Sequence, residues 1–103
     1  MSRIVQLKEL LKQDPDDSFL EHALALEQIK IGNDAEAETL FITLLGREPG
    51  YVGSYYHLAK LLTRANKTEE AIEVYEAGMA QAKLIGDMHT YNELQGEYDD
   101  LID

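Results

Sequence analysis

The same apolar pattern is written twice in this chain, 34 residues apart, and that recurrence limits the folds open to it more than any other feature. Around the turn Ala65-Asn66-Lys67-Thr68, Tyr55, Leu58, Ala59 and Leu62 precede and Ala71, Ile72, Tyr75 and Met79 follow, all at three- and four-residue spacing. That spacing predicts two amphipathic helices meeting at a polar turn. Thr68 followed by Glu69 and Glu70 reads as an N-cap with acids in the positive first turn. The earlier copy turns at Ile31-Gly32-Asn33-Asp34, with Leu24 and Ala25 before it and Ala37 and Phe41 after it.

The segments outside the two copies are helical as well. Ile4, Leu7, Leu10 and Leu11 predict an amphipathic helix over 3–13, stopped at Asp14-Pro15 because the residue before proline is driven out of the α region. Ser18-Phe19-Leu20-Glu21 reads as a capping box. The helix it opens has Leu20, Leu24 and Ile31 or their neighbours as its buried side, and Gly32-Asn33 ends it. Leu40, Phe41, Leu44 and Leu45 mark the next helix, which stops at Glu48-Pro49-Gly50. In the second copy Lys83 stands where the first has Pro49, so that helix can continue to Gly86. Gly86-Asp87 then supplies a C-terminal glycine and an N-cap for a last helix, with Met88, Tyr91, Leu94, Tyr98 and Leu101 as its apolar side. Gly96 inside it implies a close contact or fraying, since glycine costs a helix interior roughly 1 kcal/mol against alanine. No stretch alternates long enough for a strand.

A helix–turn–helix unit with a 34-residue period and matched small and aromatic positions resembles the tetratricopeptide repeat family. In the second copy Tyr55, Leu58, Ala59 and Leu62, then Ala71 and Tyr75, occupy the family's motif positions. In the first, Leu24, Ala25, Ala37, Phe41 and Pro49 match, whereas Glu21 and Gln28 stand where aromatics are usual and imply a less packed face. The resemblance implies an all-α fold, a right-handed stack of antiparallel helix pairs. Its parts would be a half-repeat helix at 3–13, repeats at 18–51 and 52–85, and a capping helix at 87–102. Elementary packing gives the same picture: a single hairpin cannot bury its apolar face, so each must lie against the next, and Ala25, Ala59, Ala37, Ala71 and Gly78 are small where helices approach closely.

Composition narrows the function. A net charge of −11 opposes binding to nucleic acid or an anionic membrane. With no cysteine there is no disulfide framework and no thiolate metal site. No run approaches the roughly 20 apolar residues of a membrane span, and without an apolar leader the cytoplasm is the expected address. His22, His57 and His89 form no His-Glu-x-x-His pattern, and Gly50-Tyr51-Val52-Gly53-Ser54 lacks the lysine of a phosphate loop. Asp14, Asp16 and Asp17 lack the glycine and closing glutamate of a calcium loop. No enzyme chemistry and no cofactor are expected.

In the family, the first helix of each hairpin lines a binding groove. By position, that implies Phe19, His22, Leu26 and Lys30 from the first copy, with Ile29 beside them, and Tyr56, His57, Lys60 and Arg64 from the second, next to Gly53. Three of the nine basic residues, Lys30, Lys60 and Arg64, thus share one face of an acidic protein. The expected partner is a protein or peptide segment, with acidic or carboxylate groups suited to those cations. The competing reading is a solvated face whose cations offset nearby acids. The lysine–asparagine clamp by which some family members hold a chaperone's terminal carboxylate is missing, since His22, Leu26 and His57 occupy its places. Two other readings are a homo-oligomer formed through exposed apolar surface on the first or last helix, and a metal site that joins His22 and His57 to a carboxylate. The expected state is a monomer or weak homodimer.

Overall fold

The computed structural model describes residues 2–103, which form six helices and no strand. They are α1 (Arg3–Gln13), α2 (Ser18–Lys30), α3 (Asp34–Arg47), α4 (Gly53–Arg64), α5 (Thr68–Ile85) and α6 (Met88–Ile102). The chain divides into two compact units, Met1–Glu48 and Pro49–Asp103.

In the first unit α2 packs on α1 and on α3. Ser2 caps α1 by accepting the Val5 N–H, and Asp14 leaves the helix at φ −141°, ψ 76° ahead of Pro15. Leu7 is the buried residue of α1; Ile4 and Leu11 are half-buried and Leu10, expected inside, is exposed, because α2 is this helix's main packing partner and covers only one strip of it. The core is Leu7, Leu24, Ala25, Ala37, Phe41 and Leu44. Ile31 is exposed rather than buried, since the helix has already turned into its C-cap there.

The expected capping box at Ser18 is displaced by one residue. Asp17 is the N-cap, its Oδ1 accepting the Leu20 N–H at 3.0 Å. That releases Ser18 and Glu21, both buried, to receive the Arg47 guanidinium from the end of α3. Gln28, the other polar residue at an aromatic position, is also buried and accepts from Asn33 Nδ2 at 3.1 Å. This face is therefore packed by satisfied polar groups, not left loose as the sequence implied.

The second unit repeats the hairpin. Gly32 and Asn66, 34 residues apart, both adopt left-handed backbone (φ 80° and 62°). In each turn the next residue's N–H returns to the helix: Asn33 to the Gln28 carbonyl at 2.8 Å and Lys67 to the Leu62 carbonyl at 2.9 Å. This is the same C-terminal motif built once on glycine and once on asparagine, the two residues that tolerate the conformation best. Because Lys67 is already held by that bond it takes the N-cap position of α5, and Thr68, expected there, is the first helical residue.

Helix α5 packs on α4 and on α6 around Tyr55, Leu58, Ala59, Leu62, Ala71, Tyr75, Ala82 and Leu94. Phe41 and Tyr75, at equivalent places in the two copies, are both fully buried. Gly78 is where α5 comes closest to its neighbours: a Cβ there would stand 2.7 Å from Tyr55 Cβ and 2.9 Å from Leu94 Cδ1. Gly86 ends α5 at φ 79°, and Asp87 caps α6 by accepting from both the N–H and the hydroxyl of Thr90. Those bonds hold the Asp87 carboxyl below its usual range. Two expectations for α6 fail: Met88 is exposed, since it precedes the stretch that meets α5, and Gly96 neither makes a close contact nor interrupts the helix.

Candidate functional site: a groove between α4 and α6

The face of α4 that packs on α5 uses Tyr55, Leu58, Ala59 and Leu62, which turns Tyr56, His57 and Lys60 the other way. Tyr56 and His57 border an open cavity of about 480 Å³. Its α4 wall is Val52, Gly53, Tyr56 and His57; its α6 wall is Thr90, Glu93, Leu94 and Glu97. Gly53 and the capping turn at Asp87 set the first turns of the two helices, and the fully buried Leu94 fixes α6 in rotation. Tyr56 and His57 meet edge to face, ring centres 5.3 Å apart. Burial pushes the His57 imidazole below its usual pKa, so the ring is neutral at physiological pH.

Lys60 sits at the end of this cavity. Its ammonium donates to Glu97 Oε2 at 3.1 Å and lies 5.8 Å from the centre of the Tyr56 ring. A smaller cavity of about 170 Å³ continues past it, bordered by Lys60, Thr63, Tyr75, Glu97, Asp100 and Leu101. The Tyr75 hydroxyl is pushed up to about 12 by burial first, and then by the charges of Glu97 and Tyr56.

Of the residues expected to form a site, Tyr56, His57 and Lys60 come together here. Arg64 is exposed in the last turn of α4. On α2, Phe19 is exposed, Leu26 half-buried, and His22 meets Phe41 edge to face at 5.6 Å. Lys30 closes the last turn of α2 and pairs with Glu27 at 2.9 Å. Helices α1 to α5 all carry a basic residue in the last turn, namely Lys12, Lys30, Arg47, Arg64 and Lys83, where the helix dipole favours positive charge. Lys30 and Arg64 therefore have a structural reason for their places, and Lys60 borders the smaller cavity, beside Glu97.

The sequence reading missed the α6 wall. The signal was present: Tyr91, Leu94 and Tyr98 repeat the spacing of Tyr55, Leu58 and Leu62, each 36 positions later. That makes α6 a further helix of the α4 kind, lining the groove as well as closing the end. Among the described residues no group of three or more histidine or acidic side chains is placed to hold a metal ion, and no helix is long and apolar enough to cross a membrane.

No protein-family profile matches the chain, and no curated protein matches it significantly. Solved structures do. A tetratricopeptide repeat domain protein from Salinibacter ruber, determined by NMR in solution, is 39% identical over 84% of this chain and 88% of its own length, with a TM-score of 0.81. A crystal structure of such a protein from the same organism gives 39% identity over 82% of this chain and 94% of that one, with a TM-score of 0.79. The TPR2B domain of yeast Sti1, in a complex with pHsp70, shares the fold at 17% identity over 95% of this chain and 78% of that one, with a TM-score of 0.87. With that identity to the Salinibacter protein, and with the hairpin built twice in 34-residue register, the chain belongs to the tetratricopeptide repeat family.

Proposed function

We propose that this chain is a non-enzymatic interaction module, an adaptor that binds an extended peptide segment of another protein in the groove between α4 and α6. The observation that carries this reading is the groove itself. It is an open cavity of about 480 Å³ with an aromatic pair on one wall, carboxylates on the other and an apolar floor at Leu94. Such a surface offers stacking and side-chain recognition to a peptide. The pHsp70 complex of the Sti1 domain, which shares this fold, supports a peptide as the kind of ligand. Phe19, His22, Leu26 and Lys30 of α2 occupy the equivalent positions in the first copy, and we assign them the same kind of role within their own unit.

Selection of peptides from a random library on the immobilised protein tests this. Enriched peptides should lose most of their affinity for Tyr56→Ala and for Thr90→Arg, which removes one wall and fills the other. Enriched peptides that bind both variants as well as the parent would refute the site. A second reading, self-association, is favoured by the exposed apolar corner at Leu84, Ile85 and Met88 and by Val5 and Leu10 on α1. Light scattering across a concentration series separates the two, because a monomer at high concentration excludes the oligomer.

A further inference from the structure

The groove described above already binds an ammonium group, and that occupant indicates what else it takes. The Lys60 ammonium is held between the Glu97 carboxylate, at 3.1 Å, and the ring of Tyr56, at 5.8 Å from its centre. A carboxylate and a ring converging on one cation are a recognition arrangement for basic side chains, and here the chain's own lysine fills it. On either side of this pair, at spacings of four and three along α6, Glu93 and Asp100 border the same run of cavities. Glu93 also faces His89 one turn earlier, at 3.4 Å. Lys60 is set against three carboxylates, so the groove has the sign opposite to that of a carboxylate receptor. His57 stays neutral and adds no opposing charge.

Resting on the peptide-binding reading, we propose that the ligand of this groove is a basic segment carrying arginine or lysine at positions i and i+3. The spacing follows from geometry. Seven residues of helix separate Glu93 from Asp100, about 10 Å of rise, and a peptide in the polyproline II conformation, with three residues per turn, presents residues i and i+3 on one face about 9 Å apart. The two basic side chains dock on Glu93 and Asp100, straddling the internal Lys60–Glu97 pair. The net charge of −11 speeds the encounter with such a segment.

Three fluorescent hexapeptides with blocked ends, carrying arginine, glutamine or glutamate at both the second and fifth positions, test this by polarisation at physiological salt, with amide chemical shifts of the labelled protein read in parallel. The arginine peptide should bind about tenfold more tightly than the other two, shifting Tyr56, His57 and Thr90. Glu93→Gln with Asp100→Asn should lower its affinity about tenfold, while Glu36→Gln with Glu73→Gln, which removes as much charge from exposed sites on α3 and α5, should leave it within about twofold. Tighter binding of the glutamate or glutamine peptide at the same amides would overturn the basic ligand and leave the groove standing. Equal losses in the two double variants would show attraction to bulk charge and overturn the proposal. Absence of shifts at Tyr56, His57 and Thr90 with all three peptides would overturn the groove reading, and the proposal with it.

Discussion

Alanine at position 78 should destabilise the protein, although alanine is the better helix former. A carbon–carbon contact settles at about 3.5–4.0 Å. A Cβ on Gly78 would stand 2.7 and 2.8 Å from Tyr55 Cβ and Cγ and 2.9 Å from Leu94 Cδ1, an overlap of about 1 Å. Tyr55 cannot swing aside, because its Cβ moves only with α4 and its hydroxyl donates to the Pro49 carbonyl at 2.6 Å. Leu94 is fully buried and has nowhere to go. Overpacking of this kind costs about 1–3 kcal/mol, and clashes with two helices at once place this site toward the upper end. The helix propensity of alanine offsets about 1 kcal/mol. The net loss is about 1–2 kcal/mol, a fall in melting temperature of roughly 5–10 °C for a chain of this size. Gly96 provides the control on the same fold. Nothing lies within 4 Å of its Cβ position, so Gly96→Ala should stabilise by about 0.5–1 kcal/mol. Urea titrations followed by circular dichroism measure both. Gly78→Ala as stable as Gly96→Ala would show that α4, α5 and α6 do not meet at Gly78, and the groove would lose its foundation.

Asn66→Ala should cost about 1 kcal/mol, and Asn66→Gly should be neutral or slightly stabilising, because the residue sits at φ 62°; chemical denaturation reads both, and equal effects would contradict the left-handed turn. Tyr75 keeps its proton more tightly in the folded chain than in the unfolded one. Its stabilisation is therefore complete below pH 10.0 and lost as pH rises toward about 12. Tyr75→Phe should make the urea midpoint fall less steeply over that window, and an unchanged slope would refute the assignment. Lys60→Met should leave helicity intact, free Glu97 and raise affinity for a basic peptide about threefold; a calorimetric titration showing weaker binding would contradict the internal-cation argument.

The hairpins were readable because their requirements are local. Small residues at Ala37 and Ala71 and rings at Phe41 and Tyr75 recur with the helix period, and each is buried. Exposure at the ends was harder to read, since it depends on what a helix lacks. Leu10 and Met88 fit an apolar stripe yet stand in solvent. Capping was misplaced at Ser18 because the Asp17 carboxylate takes the Leu20 N–H, and at Thr68 because the preceding turn, in which the Lys67 N–H donates to the Leu62 carbonyl, leaves Lys67 at the N-cap. Glu21 and Gln28 looked like packing defects because their partners, Arg47 and Asn33, lie 26 and 5 residues away, which helix periodicity does not register. The α4 half of the groove was legible by position. Its charge was not, because the sequence shows Lys60 as a cation on a face, whereas Glu97, 37 residues later, claims it.

The central claim is that the wall between Tyr56 and Glu93 is where a partner's segment lies. A crystal structure of the protein with a tightly bound selected peptide tests it most directly. The account predicts the peptide running along α4 and α6, in contact with Tyr56, His57 and Glu93. A peptide seated instead on the opposite side of the hairpin, along the exposed residues Glu73 and Glu76 of α5, would contradict it.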